Sequence, residues 1–317
     1  MLRADMTSVE ARRPSVVTPG NHDGVHLGHR ALVRAARDRA RRDGLSTLAM
    51  FFDPHPTAVL TPDRAPVLLT RPDRRVEVLE QAGADEVLVL PFTAEFASLS
   101  PRAFVEEVLI RRCGARAVVV GPDFQFGHKR AGTIDTLREL SREFGYDVIV
   151  VPPVMFEGAP SSSTRVRKLL GDGDVRTAAR MLTRVHDVDG VVVTGDKRGR
   201  TIGFPTANLV VDVGAIPGDG VYSVIARRLD TNDRTAIRGV ANLGARPTVE
   251  RDRTFEVHLF DFDRTIYGET LRVGFVDRVR GVERFESVDA LVAQIARDCE
   301  TAKSQIAEAP KELLSWL

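Results

Sequence analysis

The sequence predicts an α/β domain built on a parallel sheet, followed by a small antiparallel β-barrel that ends in a helix. Three observations carry this expectation. From about residue 15 to 185, short apolar blocks alternate with amphipathic stretches. From 186 onward the apolar blocks succeed one another with only Gly- and Asp-rich turns between them. The chain has 317 residues, more than one average domain of roughly 150 residues.

The apolar blocks of the first part are 15–18, 46–52, 86–90, 116–120 and 147–151. Such near-continuous runs fit strands buried on both faces. The stretches 29–42, 72–83, 101–114 and 133–145 read as helices between them. Pro101 suits a first helical turn and Gly114 a stop. Strands alternating with helices make βαβ units and hence a parallel sheet. In the second part, 187–195, 206–211, 220–229, 236–244, 254–262 and 270–281 read as consecutive antiparallel strands. In 288–309, Leu291, Ile295, Cys299 and Ala302 form a helical stripe, with Ser287 placed to cap it. The expected domains are therefore 14–185 and 186–317.

Composition narrows the function classes. Apolar residues make up 43% and charged residues 28%, which fits a globular chain with a real core. A net charge of +1 argues against a general nucleic-acid coat, which needs a large positive excess. Cys113 and Cys299 can build neither a disulfide framework nor a four-Cys zinc site. The first residues lack the apolar core of a secretory signal, and no apolar run approaches the ~20 residues of a membrane helix. A cytoplasmic protein is expected, with neither nucleic acid nor membrane as partner and no obligate protein partner evident.

Two stretches concentrate chemistry. The first, Gly20 to Arg30, directly follows the first predicted strand and holds three of the seven histidines, His22, His26 and His29. Gly20, Gly24 and Gly28 allow tight turns and close approach to a ligand. His29 is expected to open a helix whose free amides favour an anion. His26 and His29, three apart, share a helical face and could donate to phosphate oxygens. Zinc binding is the rival reading, weakened by the lack of a third ligand at metal spacing; a plain Gly-rich loop is the bland one. The second stretch, Gly195 to Asn208, sets Lys197, Arg198 and Arg200 among Gly195, Gly199 and Gly203, a composition suited to a phosphate cradle though not a Walker A loop. Thr206 and Asn208 follow at strand spacing and offer oxygen ligands suited to Mg²⁺. Further on, alternation puts Glu256 and His258 on one strand face, where a carboxylate could act as a general base. His258 reads as a packed or surface residue beside it.

The H-x-G-H string resembles the nucleotidylyltransferase superfamily, and its neighbours narrow the resemblance. Residues 51–60 (FFDPHPTAVL), 68–85, 121–132 (GPDFQFGHKRAG) and 161–175 (SSSTRVRKLLGDGDV) follow in an order that resembles the prokaryotic bifunctional riboflavin kinase/FAD synthetase family. Residues 195–208, 239–248 and 266–268 are similar to its flavokinase domain. The resemblance implies a Rossmann-like first domain that adenylylates FMN to FAD and a barrel that phosphorylates riboflavin to FMN, both with ATP and Mg²⁺. It assigns His26 and His29, with Gly20, Asp23, Gly24 and Gly28, to ATP phosphates. A second phosphate contact would come from Ser162, Ser163, Thr164, Arg165 and Arg167. Asp123, Phe124 and Phe126 would lie near the flavin phosphate, and Glu256 would be the kinase base. The segment around His55 reads as a rigid loop, Phe124 and Phe126 equally as core, Arg165 and Arg167 equally as a solvated face, and Arg246 and Pro247 as loop-shaping. One departure stands out: the family usually carries an aromatic residue where this chain has His22. A kinase with an inactive first half, an enzyme that adenylylates another cofactor precursor, and a flavin-binding regulator without turnover are the alternatives.

Overall fold

The computed structural model describes residues 2–3, 13–195, 199, 202–245 and 253–315. The expectations for Lys197, Arg198, Arg200, Arg246 and Pro247 fall outside them. The chain forms two compact units, one of Met1–Val67 with Arg71–Ser162, the other of Leu68–Thr70 with Ser163–Leu317.

The first unit holds a parallel sheet of β1 (Leu2–Arg3), β2 (Ser15–Pro19), β3 (Ser46–Asp53), β4 (Glu86–Pro91), β5 (Ala115–Val120) and β6 (Asp147–Val150), ordered β1-β4-β3-β2-β5-β6. Its helices are α1 (Leu27–Asp43), α2 (Pro56–Leu60), α3 (Pro72–Gln81), α4 (Ala94–Ala97), α5 (Pro101–Ala103) and α6 (Ile134–Phe144). A small hairpin, β7 (Met155–Phe156) and β8 (Ala159–Pro160), follows. Alternate residues of each strand feed opposite layers, as a sheet buried on both faces requires. Val16, Ala117 and Val119 pack with Ala36 and Ala40 of α1. Val17, Val118 and Val120 pack with Leu109, Phe104 and Leu137 on the other side. Gly44, in the left-handed region at φ 66°, closes α1 by donating to the Ala40 carbonyl. The expected helix over 101–114 is present but mostly π-helical across Phe104–Arg112, with the Cys113 N–H reaching back five residues to the Val108 carbonyl.

The strand order decides where a ligand can sit. β3 lies on one side of β2 and β5 on the other, so the winding reverses at β2. In open parallel sheets, ligands bind in the crevice outside the strand carboxyl ends at this reversal. The histidine loop leaves the carboxyl end of β2, and the Gly121–Phe126 loop leaves that of β5.

The second unit begins with α7 (Ser163–Gly171) and α8 (Val175–Leu182). The sequence rhythm groups these helices with the first half, but in the structure they pack with the barrel. The Gly218 N–H donates to the Leu170 carbonyl at 2.8 Å, and Arg176 lies 3.6 Å from Asp277. The barrel is closed and antiparallel, from β9 (His186–Val193), β10 (Ala207–Val210), β11 (Gly220–Arg228), β12 (Ile237–Ala245), β13 (Arg253–Leu259) and β14 (Thr270–Arg280), ordered β10-β13-β12-β11-β14-β9. Phe255 stacks on Phe275, and Tyr222 meets Phe275 edge-on. The alternate residues Val221 and Val240 pack instead with Cys299 and Ala302 of α9 (Val288–Glu308). Ser287 caps α9 as expected, accepting from the Ala290 N–H at 3.1 Å. α10 (Lys311–Leu314) adds Leu313 and Leu314 beside Ile306. Among the described residues no helix is long and apolar enough to cross a membrane.

Leu109 is fully buried in the main core of the first unit. Leu109→Ala should lower stability by about 2–5 kcal/mol, read as a drop in the urea midpoint followed by circular dichroism.

Candidate active sites

At the sheet reversal, the helix starts earlier than expected. His26, not His29, is the N-cap of α1, and His29 lies in its first turn. The cap fixes the His26 tautomer. Its Nδ1 accepts from the Gly28 N–H at 3.1 Å and lies 3.2 Å from the Ser161 hydroxyl. The proton therefore sits on Nε2, the donor nitrogen of the ring. His29 stacks on His26 with 3.8 Å between ring centres. His22 meets His29 edge-on at 5.2 Å. His22 is fully buried, adopts φ 48°, and its Nε2 donates to the Thr18 carbonyl at 3.0 Å. Its ring lies over Gly20, where an added Cβ would come within 3.2 Å of Nε2. The position expected to carry an aromatic is thus filled by a neutral imidazole packed as one. The rings stack rather than converge, and among the described residues no three His, Cys, Asp or Glu are placed to hold a metal.

Beneath the rings lies a group the sequence reading missed. Arg75 of α3 is 2% exposed, and so is Asp23. The guanidinium donates to Asp23 Oδ1 at 3.1 Å and to the Asn21 carbonyl at 3.1 Å, and sits 4.7 Å above the Phe51 ring. It thereby fastens the loop that bears the histidines. Burial, chiefly, pushes the His22 pKa down to about 4, with Arg75 adding to the shift and the bond to Thr18 opposing it. Burial first, then His26, His22 and Arg75, hold His29 well below the ordinary histidine range. Both rings are neutral at pH 7. The signal for Arg75 was in the sequence: it shares a helical stripe with Val78 and Leu79, both fully buried.

The neighbouring segments are fixed in similar ways. His55 caps α2, its Nδ1 accepting from the Thr57 N–H at 3.2 Å, while its Nε2 lies 3.0 Å from the Asn21 amide. The sequence reads that segment as a rigid loop; in the structure its end is the start of α2, and His55 adds a contact to the histidine loop. Phe126 is a core ring packed on Phe104, and Phe124 is half-buried and stacked on Phe126 at 5.6 Å. Asp123 is exposed beside them. Gly24, at φ 84°, turns the loop. Ser162 closes the first unit, while Ser163, Thr164, Arg165 and Arg167 lie on α7 in the second.

In the barrel, strand register builds the second site. Asn208 of β10 pairs with Val193 of β9 on one side and with Glu256 of β13 on the other. Glu256 also pairs with Asn242 of β12. Asn208, Glu256 and Asn242 therefore share one sheet face, opposite the buried Phe255 and Val257. Asn242 was not singled out from the sequence, because only this register reveals it. An added Cβ at Gly195 would collide with the Asn208 amide, and one at Gly199 with the Phe204 carbonyl, 3.3 Å from Thr206 Oγ1. Two of the expected glycines thus give Asn208 and Thr206 their room. Gly203 turns the loop at φ 87°. His258 lies beside the site as expected, its Nδ1 donating to the Pro205 carbonyl at 2.8 Å and its ring edge-on to Phe204. A pocket opens here, lined by Pro205, Thr206, Val257, Leu259, Arg264 and Tyr267.

Two family models match the chain, one in each part. The family model for FAD synthetase matches residues 8–165, and that for riboflavin kinase matches residues 182–306. The bifunctional riboflavin kinase/FMN adenylyltransferase of Escherichia coli (strain K12) is 38% identical over 289 residues, covering 91% of each chain. That of Bacillus subtilis (strain 168) is 35% identical over 300 residues, covering 92% of this chain and 93% of its own. A crystal structure from Streptococcus pneumoniae described as a macrolide-efflux protein superposes with a TM-score of 0.85 at 35% identity, covering 95% of this chain and 98% of that one. With both family models matched in order and curated relatives aligned over nine-tenths of its length, the chain belongs to the bifunctional riboflavin kinase/FMN adenylyltransferase family.

Proposed function

We propose that this enzyme phosphorylates riboflavin to FMN at the barrel site and adenylylates FMN to FAD at the sheet reversal, with ATP as donor in both steps. The functional halves are 14–185 and 186–317. The observation that carries this reading is the difference between the two sites. The barrel aligns a carboxylate, Glu256, with Asn208 across paired strands. The sheet reversal offers imidazole donors, and the carboxylate within the histidine loop, Asp23, is bound to Arg75.

The difference matches the two nucleophiles. In the kinase step the attacker is a neutral alcohol. Glu256 takes the 5′-hydroxyl proton of riboflavin as oxygen bonds to the γ-phosphorus and ADP leaves. Thr206 and Asn208 offer a hydroxyl and an amide oxygen, and both have the room a divalent cation on phosphate needs because Gly195 and Gly199 lack side chains. Mg²⁺ held there would supply charge neutralisation on the ATP phosphates. Gly195, Gly199 and Gly203 supply the phosphate cradle.

In the adenylyl step the attacker is already a phosphate anion, so no base is required. FMN phosphate attacks the α-phosphorus of ATP and pyrophosphate leaves. His26 donates through Nε2, His29 lies stacked beside it, and the first amides of α1 face the same charge. Ser162, at the end of the same unit, contacts the ATP phosphates, and Asp123 and Phe124 the flavin side, with Phe126 backing Phe124. Two buried thiols without a disulfide support a cytoplasmic location.

Purified protein given riboflavin, ATP and Mg²⁺ should yield FMN and then FAD on chromatography; if neither product forms, the reading fails. Glu256→Gln should cut the kcat of FMN formation roughly 100- to 10,000-fold and leave FAD formation from supplied FMN intact. His29→Ala should do the reverse, and joint loss of both activities would contradict two separate sites. Because the buried His22 has its pKa lowered from 6.5 to about 4, its neutral form stabilises the fold fully above pH 6.5. That stability is lost as the pH falls toward 4, by about 3 kcal/mol. Acid titration followed by circular dichroism should show this loss reduced in His22→Phe.

A further inference from the structure

The histidine cluster contains two nitrogens that the adenylyl mechanism leaves unused. His22 Nδ1 and His29 Nδ1 are both buried with no hydrogen-bond partner. The His22 tautomer is fixed, because its Nε2 faces the Thr18 carbonyl and must carry the proton. Its Nδ1 is therefore a bare lone pair. The two rings meet edge-on with 5.2 Å between centres, so the two unpartnered nitrogens belong to neighbouring rings in contact.

We propose that His22 is a positioning residue for adenylyl transfer, its bare Nδ1 accepting a hydrogen bond from His29 Nδ1–H when the triphosphate and departing pyrophosphate draw a proton onto His29. This rests on the assignment of the sheet reversal to adenylyl transfer, and deepens it. An imidazolium His29 presents one N–H to the phosphates and must place the other somewhere. The other groups that face it are already committed or carry the wrong charge. His26 Nδ1 is taken by the Gly28 N–H. Asp23 is bound to Arg75. Arg75 is a cation that only repels. Of the groups acting on His29, His22 Nδ1 is the one buried acceptor with no partner.

A hydrogen bond to the charged form favours that form, so His22 offsets part of the repulsion from Arg75. The proton enters from solvent as the polyanion binds and leaves with pyrophosphate, so the ring is neutral at the start and end of each turnover. A phenyl ring at this position would pack equally well but offer no lone pair.

The test uses the full-length enzyme and His22→Phe. Nitrogen-15 spectra of the imidazole rings, recorded with and without inorganic pyrophosphate, should show His29 passing from the neutral to the doubly protonated form in the native chain. In His22→Phe it should stay neutral at the same pH with pyrophosphate bound. The alkaline limb of kcat for FAD formation should move about one pH unit toward acid in the variant, a tenfold loss on the high-pH side, while FMN formation keeps its profile throughout. A native His29 that stays neutral with pyrophosphate bound, or a variant whose FAD profile overlays the native one, overturns the proposal. If the native enzyme made no FAD at all, the site assignment would fail, and the pyrophosphate spectra would still decide whether His22 supports a charged His29. If the variant does not fold, the native His22 Nδ1 resonance decides: it should shift on pyrophosphate binding as that nitrogen accepts a hydrogen bond, and an unmoved resonance overturns the proposal.

Discussion

The buried pair of Arg75 and Asp23 is the contact on which the first unit's chemistry depends. Burying two charges is costly, and is sustained only where geometry and additional hydrogen bonds repay the lost water. Here the guanidinium also serves the Asn21 carbonyl and lies over the Phe51 face. One side chain from α3 thus ties down the loop between β2 and α1 at two points. The same positive charge lies close enough to the histidines to help keep them uncharged. One residue therefore both shapes the loop and adds to the effect of burial on its histidines.

The barrel solves its positioning problem differently. Its functional groups sit on paired strands, so their spacing is dictated by backbone register rather than by a pinned loop. A shift of one residue in β13 would turn Glu256 inward and bring Phe255 out. Interior rings such as Phe255 against Phe275 oppose that shift. The packing of the barrel core and the placement of the carboxylate are thus one constraint. Side chains on regular elements are held more tightly than those on loops. His258 extends this order into the adjoining turn by holding Pro205, and with it the approach to Thr206.

Much of this was readable from the sequence. Apolar blocks such as 116–120 and 147–151 became β5 and β6, and the histidine-rich turn fell at the sheet reversal, because local pattern and strand order obey short-range rules. What escaped was non-local. Asn242 acquires meaning only through pairing with Glu256, and Arg75 only through a contact 52 residues away in sequence. The helices over 163–182 look like the last members of an alternating domain, yet their apolar faces are buried in the barrel's unit, a choice that periodicity cannot make. The stretch 101–114 was correctly read as a helix, but its five-residue hydrogen bonding leaves no mark on a hydrophobic pattern.

The short segment Leu68–Thr70 belongs to the barrel's unit although the residues on both sides of it belong to the other. Its Leu68 carbonyl receives the Ala215 N–H at 2.8 Å. The backbone therefore crosses between the units three times rather than once. No single break in the gene can separate two complete parts: a barrel begun after Ser162 would lack the carbonyl that satisfies Ala215. During synthesis, Leu68 leaves the ribosome well before its partner exists, so the barrel's unit is finished only when a late loop returns to a strand of chain made early.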